Sequence, residues 1–123
     1  MDDAEKVKAL KERMWKKQYY LMFRTLVHPD RIPGVLLRHY EWMIAMEKEG
    51  HVFASGPVFD RGGEQGVGLT VFRAQSWEQA EEFASADPFV TSGAVDFEIK
   101  RWQVNEGRIS VSVDFSDQTF NAE

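Results

Sequence analysis

Cysteine is absent from the 123 residues of this chain, which excludes disulfide bonds, thiolate metal sites and cysteine nucleophiles. Long apolar runs are absent too, and the first residues, MDDAEKVK, are acidic where a signal peptide would be basic. We therefore expect a cytoplasmic protein with no membrane partner. Basic residues are in the minority, since 15 Lys and Arg face 20 Asp and Glu for a net charge of -5. Nucleic acid is not an expected partner, because binding it requires clustered positive charge.

The residues that are present are typical of one globular domain. A hydrophobic share of 43% and a charged share of 28% are ordinary for such a domain, and a chain of this length buries a sizeable core without covalent staples. Residues 1–17 differ from the rest, because a narrow apolar stripe recurs at helical spacing on an otherwise charged segment. We interpret them as an amphipathic helix added to the N-terminus of the domain.

Hydrophobic periodicity predicts the order βαββαβ after that first helix, followed by one more strand. The predicted strands are 18–27, 52–59, 66–74, 95–104 and 109–116, and the predicted helices are 3–15, 33–49 and a segment that opens at 76 and ends by 87. Right-handed crossovers turn βαββαβ into a four-stranded antiparallel sheet with two helices on one face, the ferredoxin-like α+β fold. We assign this domain to residues 18–104 and a C-terminal strand extension to residues 105–123.

The first strand is apolar on both faces, with Tyr20, Met22 and Leu26 set against Tyr19, Leu21, Phe23 and Val27. Two helices cover only one face of the predicted sheet, so the other face requires a partner. The predicted partner is a second copy of the chain, packed sheet to sheet as a homodimer.

Two residues are candidates for acid–base chemistry. His39 lies at the edge of the wide apolar face of the helix over 33–49. Asp87 lies at the end of the helix that opens at 76, because Pro88 excludes the helical conformation for the residue before it. A carboxylate bound to one ring nitrogen selects the tautomer of an imidazole and stabilises its protonated form, as a general base requires. From the residues alone, other interpretations stay open: Asp87 as the N-cap of a short turn, and His39 as an ordinary helix-edge histidine.

Other residues in the sequence raise the possibility of a metal site, a phosphate loop or an anion site. His28, Asp30 and His39 offer nitrogen and oxygen ligands, but their spacing fits no metal motif, and we expect neither metal nor cofactor. The glycine-containing segment 60–65 is flanked by strands, so it predicts a turn and not a phosphate loop. Arg24 and Arg73 lie in or near strands, where each either binds an anionic ligand or pairs with Asp96 or Glu98.

Three features, taken in order, resemble one family. A histidine, His39, precedes the stretch that runs through Gly50 to Ser55-Gly56-Pro57; Asp87-Pro88-Phe89 is followed by Gly93; and Arg101-Trp102 closes the fourth strand. From about residue 18 to residue 104 the chain resembles the YCII-related proteins, small members of the dimeric α+β barrel group.

The resemblance implies a ferredoxin-like homodimer with a pocket in each subunit, lined by a His–Asp pair that falls on His39 and Asp87. Because Ser55, Gly56, Phe89 and Trp102 flank these two residues, we predict that they bind the ligand. The functional hypothesis is a metal-independent lyase, dehalogenase or isomerase-like enzyme acting on a small oxygenated or aromatic substrate. The alternative is a non-catalytic dimeric module that binds a small ligand.

Overall fold

The computed structural model describes the backbone of residues 1–122 and the side chains of all of these except 65–67 and 122. Residue 123, the last of the predicted C-terminal extension, lies outside the described residues. The helices and strands, in chain order, are α1 (Asp3–Arg13), β1 (Lys17–Leu26), α2 (Ile32–Lys48), β2 (Val52–Phe59), β3 (Gln65–Phe72), α3 (Trp77–Ser85), α4 (Pro88–Thr91), β4 (Val95–Val104), β5 (Val111–Asp114) and β6 (Thr119–Ala122).

The chain divides into two compact units, residues 18–103 and the two ends of the chain, 1–17 and 104 onward. In the first unit, four strands form one sheet in the order β2-β3-β1-β4, with β3 antiparallel to both of its neighbours. Each crossover helix therefore joins two strands that are separated by a third. The predicted ferredoxin-like α+β fold is confirmed.

One face of this sheet packs against α2 and α3. The residues that alternate toward the helices on β1 and β3 are buried, and Met22 and Phe72 are completely so. The cluster that they form contains Tyr20, Met22, Met46, Val52, Phe72, Ala80 and Ala84. Truncating Met22 or Phe72 to alanine would leave a cavity, at a cost of about 2–5 kcal/mol.

Helix ends follow the local sequence signals closely. Asp2 Oδ1 accepts from the Glu5 N–H at 2.8 Å, and Ser76 Oγ accepts from the Gln79 N–H at 3.1 Å, as N-caps do. The Gln79 side chain accepts from the N–H of Gln75 at 2.7 Å, one residue before the cap. The return bond of this capping box is thus displaced by one residue from the N–H that the motif normally uses.

The second unit is formed by α1 and a two-stranded antiparallel sheet of β5 and β6. The single strand predicted over 109–116 is wrong in extent, because β5 is only Val111–Asp114 and pairs with β6 from Val111↔Ala122 to Asp114↔Thr119. The turn between them has Gln118 at a φ of 58° and an Asp117 carboxylate that accepts from the Thr119 N–H at 3.1 Å. No helix in the described part of the chain is both long and apolar enough to cross a membrane.

Candidate functional site

A cleft of about 520 Å³ opens between the sheet and α2 in the unit of residues 18–103. Its wall is largely apolar, as small-molecule sites are, and includes Leu26, Pro29, Ile32, Leu36, Met43 and Val95. The polar side chains that reach the wall are those of Arg24, His39, Tyr40 and Ser55. The cleft therefore combines a hydrophobic lining with a few polar groups that can orient a ligand.

His39 is held in this wall by two contacts. Its Nδ1 lies 2.7 Å from Oδ1 of Asp87, and both side chains are buried. The ring of Phe89 stacks on the imidazole, with centroids 3.7 Å apart and planes within 4° of parallel. Asp87 and Phe89 come from the junction of α3 and α4, where Pro88 sets the backbone, so one short segment fixes both the tilt and the rotation of the imidazole.

The protonation state of Asp87 determines the tautomer of His39. Burial by itself would raise the pKa of Asp87, but the hydrogen bond from His39, the positive charge of Arg24 and the Phe89 N–H together outweigh it and lower that pKa. Asp87 is therefore ionised at neutral pH and can only accept, which requires Nδ1 of His39 to carry the proton. In the neutral ring, Nε2 is then the nitrogen with a free lone pair.

A chain of polar groups continues from Asp87 across the sheet. Arg24 Nε donates to Asp87 Oδ2 at 2.7 Å, and Arg24 Nη1 donates to Thr70 Oγ1 at 2.8 Å. The hydroxyls of Thr70 and Ser55 lie 2.7 Å apart. This series of hydrogen-bonded polar groups ends at Ser55, which lines the cleft.

Ser55 reaches this chain because of a bulge in β2. Val52 pairs with Phe72 and Ser55 with Thr70, so three steps along β2 match two steps along β3. The additional residue changes which face the following side chains take. Without it, Ser55 would point to the opposite face of the sheet from Val52.

Most of the predicted site residues lie at the cleft, but one does not. His39, Ser55, Gly56 and Phe89 line the cleft, and Asp87 lies directly behind His39. Trp102 is not among the lining residues; its ring lies 6.2 Å from that of Tyr19, centroid to centroid, on the face of the sheet away from the helices. Alternation along β4 explains this, since Val95, Phe97 and Ile99 take the helix side.

Asp87 also accepts from the Phe89 N–H at 2.9 Å, so it caps α4 as well as binding His39. The two interpretations of Asp87 that the sequence left open describe one arrangement. Of the two alternatives left open for Arg24, pairing with Asp96 or Glu98 is not found, because its partner is Asp87. Such pairing is not found for Arg73 either, which donates to the Val52 carbonyl and lies over the Phe53 ring. Among the described residues, no three His, Asp or Glu side chains are close enough together to hold a metal ion.

Thr70 has no role predicted from the sequence, and Arg24 has two possible partners there, an anionic ligand or an acidic side chain of β4. A buried arginine within an apolar strand is itself a signal, because a guanidinium is seldom enclosed without a carboxylate partner. Nothing in the sequence identified that carboxylate, which is 63 residues away along the chain.

Comparison with known proteins supports this description of the fold. The structure is similar to that of 5-chloro-2-hydroxyhydroquinone dehydrochlorinase (TftG) from Burkholderia phenoliruptrix in complex with 2,5-dihydroxybenzoquinone, with a TM-score of 0.54 and 19% identity over 68% of this chain and 92% of that one. In sequence, the chain is 35% identical over 68 residues to the uncharacterized protein YjpA of Bacillus subtilis (strain 168), covering 55% of this chain and 75% of YjpA.

The YCII-related domain matches residues 25–103, a range that contains His39, Asp87 and every other residue of the cleft and its polar chain except Arg24. The match spans more than half of the chain and falls within the unit that carries the ferredoxin-like sheet. The chain therefore belongs to the YCII-related domain family.

Proposed function

We propose that this protein is a small-molecule enzyme in which His39 acts as the general acid and base and Asp87 positions it. The observation that carries the proposal is the 2.7 Å contact between His39 Nδ1 and the buried, ionised Asp87 at the wall of an apolar cleft. That contact leaves Nε2 to exchange a proton with a bound ligand, and the carboxylate stabilises the imidazolium that forms.

The substrate class that suits the cleft is a small oxygenated or aromatic compound. An apolar lining favours a flat hydrophobic body, and the few polar groups favour oxygen substituents at defined places. The similar structure is named for a dehydrochlorinase of a hydroxylated aromatic compound and contains a dihydroxybenzoquinone. We therefore propose lyase, dehalogenase or isomerase-like chemistry that begins with proton transfer from such a compound to His39.

The test compares His39→Asn with wild type and with His51→Asn. Asparagine retains an N–H that can bind Asp87 but removes Nε2, whereas His51 contacts Glu49 and lies outside the cleft. With 5-chloro-2-hydroxyhydroquinone as the probe substrate, chloride release should fall by about a hundredfold to ten-thousandfold in His39→Asn. His51→Asn should release chloride at the wild-type rate.

A second candidate function is a binding module without turnover. It is favoured because Asp87 also caps α4 and pairs with Arg24. These structural roles account for a buried carboxylate beside His39 even without catalysis. In that case, 2,5-dihydroxybenzoquinone would bind wild type and His39→Asn with similar affinity, and neither protein would release chloride. A large loss of turnover with retained binding supports the enzyme instead.

We also propose that two copies of the chain pack through the face of the ferredoxin-like sheet that α2 and α3 leave open. That face carries large apolar and aromatic side chains: Tyr19, Leu21, Phe23, Phe53, Val71 and Trp102. Phe53 and Trp102 are each 43% exposed. Tyr19 and Val71 are already buried within the chain, so the surface available to a partner is mainly that of the exposed rings beside Tyr19. Exposed aromatic rings of this kind are typical of a protein interface.

A further inference from the structure

One nitrogen of the Arg24 guanidinium makes no hydrogen bond within the part of the chain that the structure describes. Its side chain is only 6% exposed; Nε donates to Asp87 and Nη1 donates to Thr70. Nη2 is buried and has no hydrogen-bond acceptor among the described residues. Leaving a buried donor unpaired costs about 1–3 kcal/mol, and more when the group is charged, so a ligand acceptor that reaches Nη2 recovers this free energy.

The position of Arg24 points to the cleft as the source of that acceptor. Arg24 lines the same cleft as His39, and Gly68 lies opposite it on β3. A Cβ at position 68 would lie 3.4 Å from Arg24 Cδ and 3.7 Å from Nη1, so glycine leaves space beside the guanidinium. A hydrogen bond between Nη2 and a seated ligand would form away from bulk water, where such bonds are electrostatically stronger.

The charges around His39 leave a ligand that becomes anionic in need of a hydrogen-bond donor. Arg24 and Asp87 neutralise each other, and a neutral imidazole adds no charge. When a ligand O–H bond breaks, the proton joins Nε2 of His39 and the electron pair remains on the ligand oxygen. The new imidazolium is stabilised by Asp87, while the new oxyanion requires a donor of its own.

We propose that Nη2 of Arg24 is this donor, so that the cleft selects ligands with an ionisable oxygen and binds them as the anion, as a phenolate or an enolate. The inference rests on the acid–base function proposed for His39 and names its substrate class. Arg24 suits this role because a guanidinium keeps its charge throughout and its donors have fixed directions.

The experiment uses 4-nitrophenol, whose phenolate absorbs visible light and whose neutral form does not. At a slightly acidic pH where most free probe is neutral, wild-type protein should raise the phenolate absorbance in a saturable way. A hydrogen bond to a charged acceptor contributes about 1.5–3 kcal/mol. Arg24→Lys should therefore weaken the preference for phenolate by roughly tenfold to a hundredfold.

Arg73→Lys is the matched control, because Arg73 donates to the Val52 carbonyl and does not line the cleft. It should behave as wild type. If 4-nitrophenol fails to bind wild type, binds as the neutral phenol, or ionises equally in Arg24→Lys, the inference is overturned. Should Arg24→Lys not fold, the side-chain ¹⁵N and proton signals of Arg24 in wild type decide, since they should shift when 4-nitrophenolate binds; no shift overturns the inference.

His39→Asn separates this inference from the proposed function. If Arg24 holds the anion, the protein should still prefer the phenolate without the imidazole. A preference that disappears in His39→Asn and survives in Arg24→Lys assigns the anion to the imidazolium, which overturns the role of Arg24 but leaves the acid–base proposal intact. Conversely, His39→Asn could leave turnover unchanged while the phenolate signal still depends on Arg24. That result overturns the acid–base role of His39 and leaves the anion-binding role of Arg24 intact.

Discussion

Asp87 is bound by three groups at once: the imidazole of His39, the guanidinium of Arg24 and the N–H of Phe89. Each favours the ionised carboxylate, and together they overcome the burial that would otherwise raise its pKa, leaving the pKa lowered. One completely buried side chain thereby positions the candidate base, fixes the direction of the arginine and begins a helix. Its removal should affect both stability and chemistry.

We predict that Asp87→Asn destabilises the protein and weakens its response to acid. Because the pKa of Asp87 is lowered in the folded protein, its contribution to stability is present above the pKa of an unfolded aspartate, about 3.9, and is lost as pH falls through the lowered value. Near neutral pH, the variant should lose about 3–5 kcal/mol, because Arg24 remains buried without its partner.

Urea unfolding at a series of pH values measures both effects. The wild-type midpoint should fall as the solution is acidified below pH about 4, and the Asp87→Asn midpoint should fall less steeply. Asp96→Asn removes an exposed aspartate from β4 and is the control that should follow wild type. Parallel curves for wild type and Asp87→Asn would contradict the prediction.

How much of the site was accessible from sequence differs from residue to residue. His39 and Asp87 are 48 residues apart, beyond the reach of local periodicity, and only the ordered family features indicated that they belong together. The partner of Arg24 was not accessible, because the register of β1 against its neighbours decides which face Arg24 takes. Ser55 was predicted to bind the ligand because it flanks the two candidate residues, and the structure places it in the cleft wall, although the bulge that turns it inward has no signal in the sequence.

At the scale of the elements, two glycines illustrate opposite uses of that residue. Gly93 follows α4 with a φ of 79°, and a Cβ there would lie 2.6 Å from Nη1 of Arg31, which donates to the Ser92 carbonyl. Gly34 lies in the first turn of α2 with nothing within 4 Å of a built Cβ. The first position requires glycine for its backbone conformation, whereas the second does not.

Alanine at these two positions should therefore change stability in opposite directions. We expect Gly93→Ala to lower the free energy of unfolding by about 1–2 kcal/mol, because left-handed backbone is costly for alanine and Arg31 has to move. Gly34→Ala should raise it by up to about 1 kcal/mol through helix propensity. Thermal or urea unfolding of the two variants beside wild type checks both signs, and a shift in the same direction would refute this account.

The order of the elements was predictable because each has a local cause. The apolar alternation of β4 and the capping serine before α3 set boundaries that agree with the structure to within a residue or two. β6 was not predicted, because Thr119–Ala122 contains one large apolar residue and has no alternation to detect. The Ser116–Asp117 pair, both turn-forming residues, is the signal that a hairpin follows β5.

At the scale of the whole molecule, the ferredoxin-like sheet has two faces of different character. The helix-covered face contains the buried cluster around Met22 and Phe72 together with the polar chain that ends in the cleft. On the other face, Phe23 pairs with Leu69 and Leu21 with Val71 across the centre of the sheet, beside the exposed rings of Phe53 and Trp102. Burying these side chains against a second copy would provide a large hydrophobic stabilisation of a dimer.

We predict that the protein sediments as a dimer and that Phe23→Lys converts it to a monomer, because an ammonium at the centre of that face cannot be buried without a partner. Leu37→Lys is the control: Leu37 is 70% exposed on α2, so a lysine there should leave the dimer intact. Analytical ultracentrifugation of the three proteins at equal concentration measures the masses. A monomeric wild type would remove the proposed dimer altogether. A dimer that survives Phe23→Lys and dissociates in Leu37→Lys would instead place the interface on the outer surface of α2.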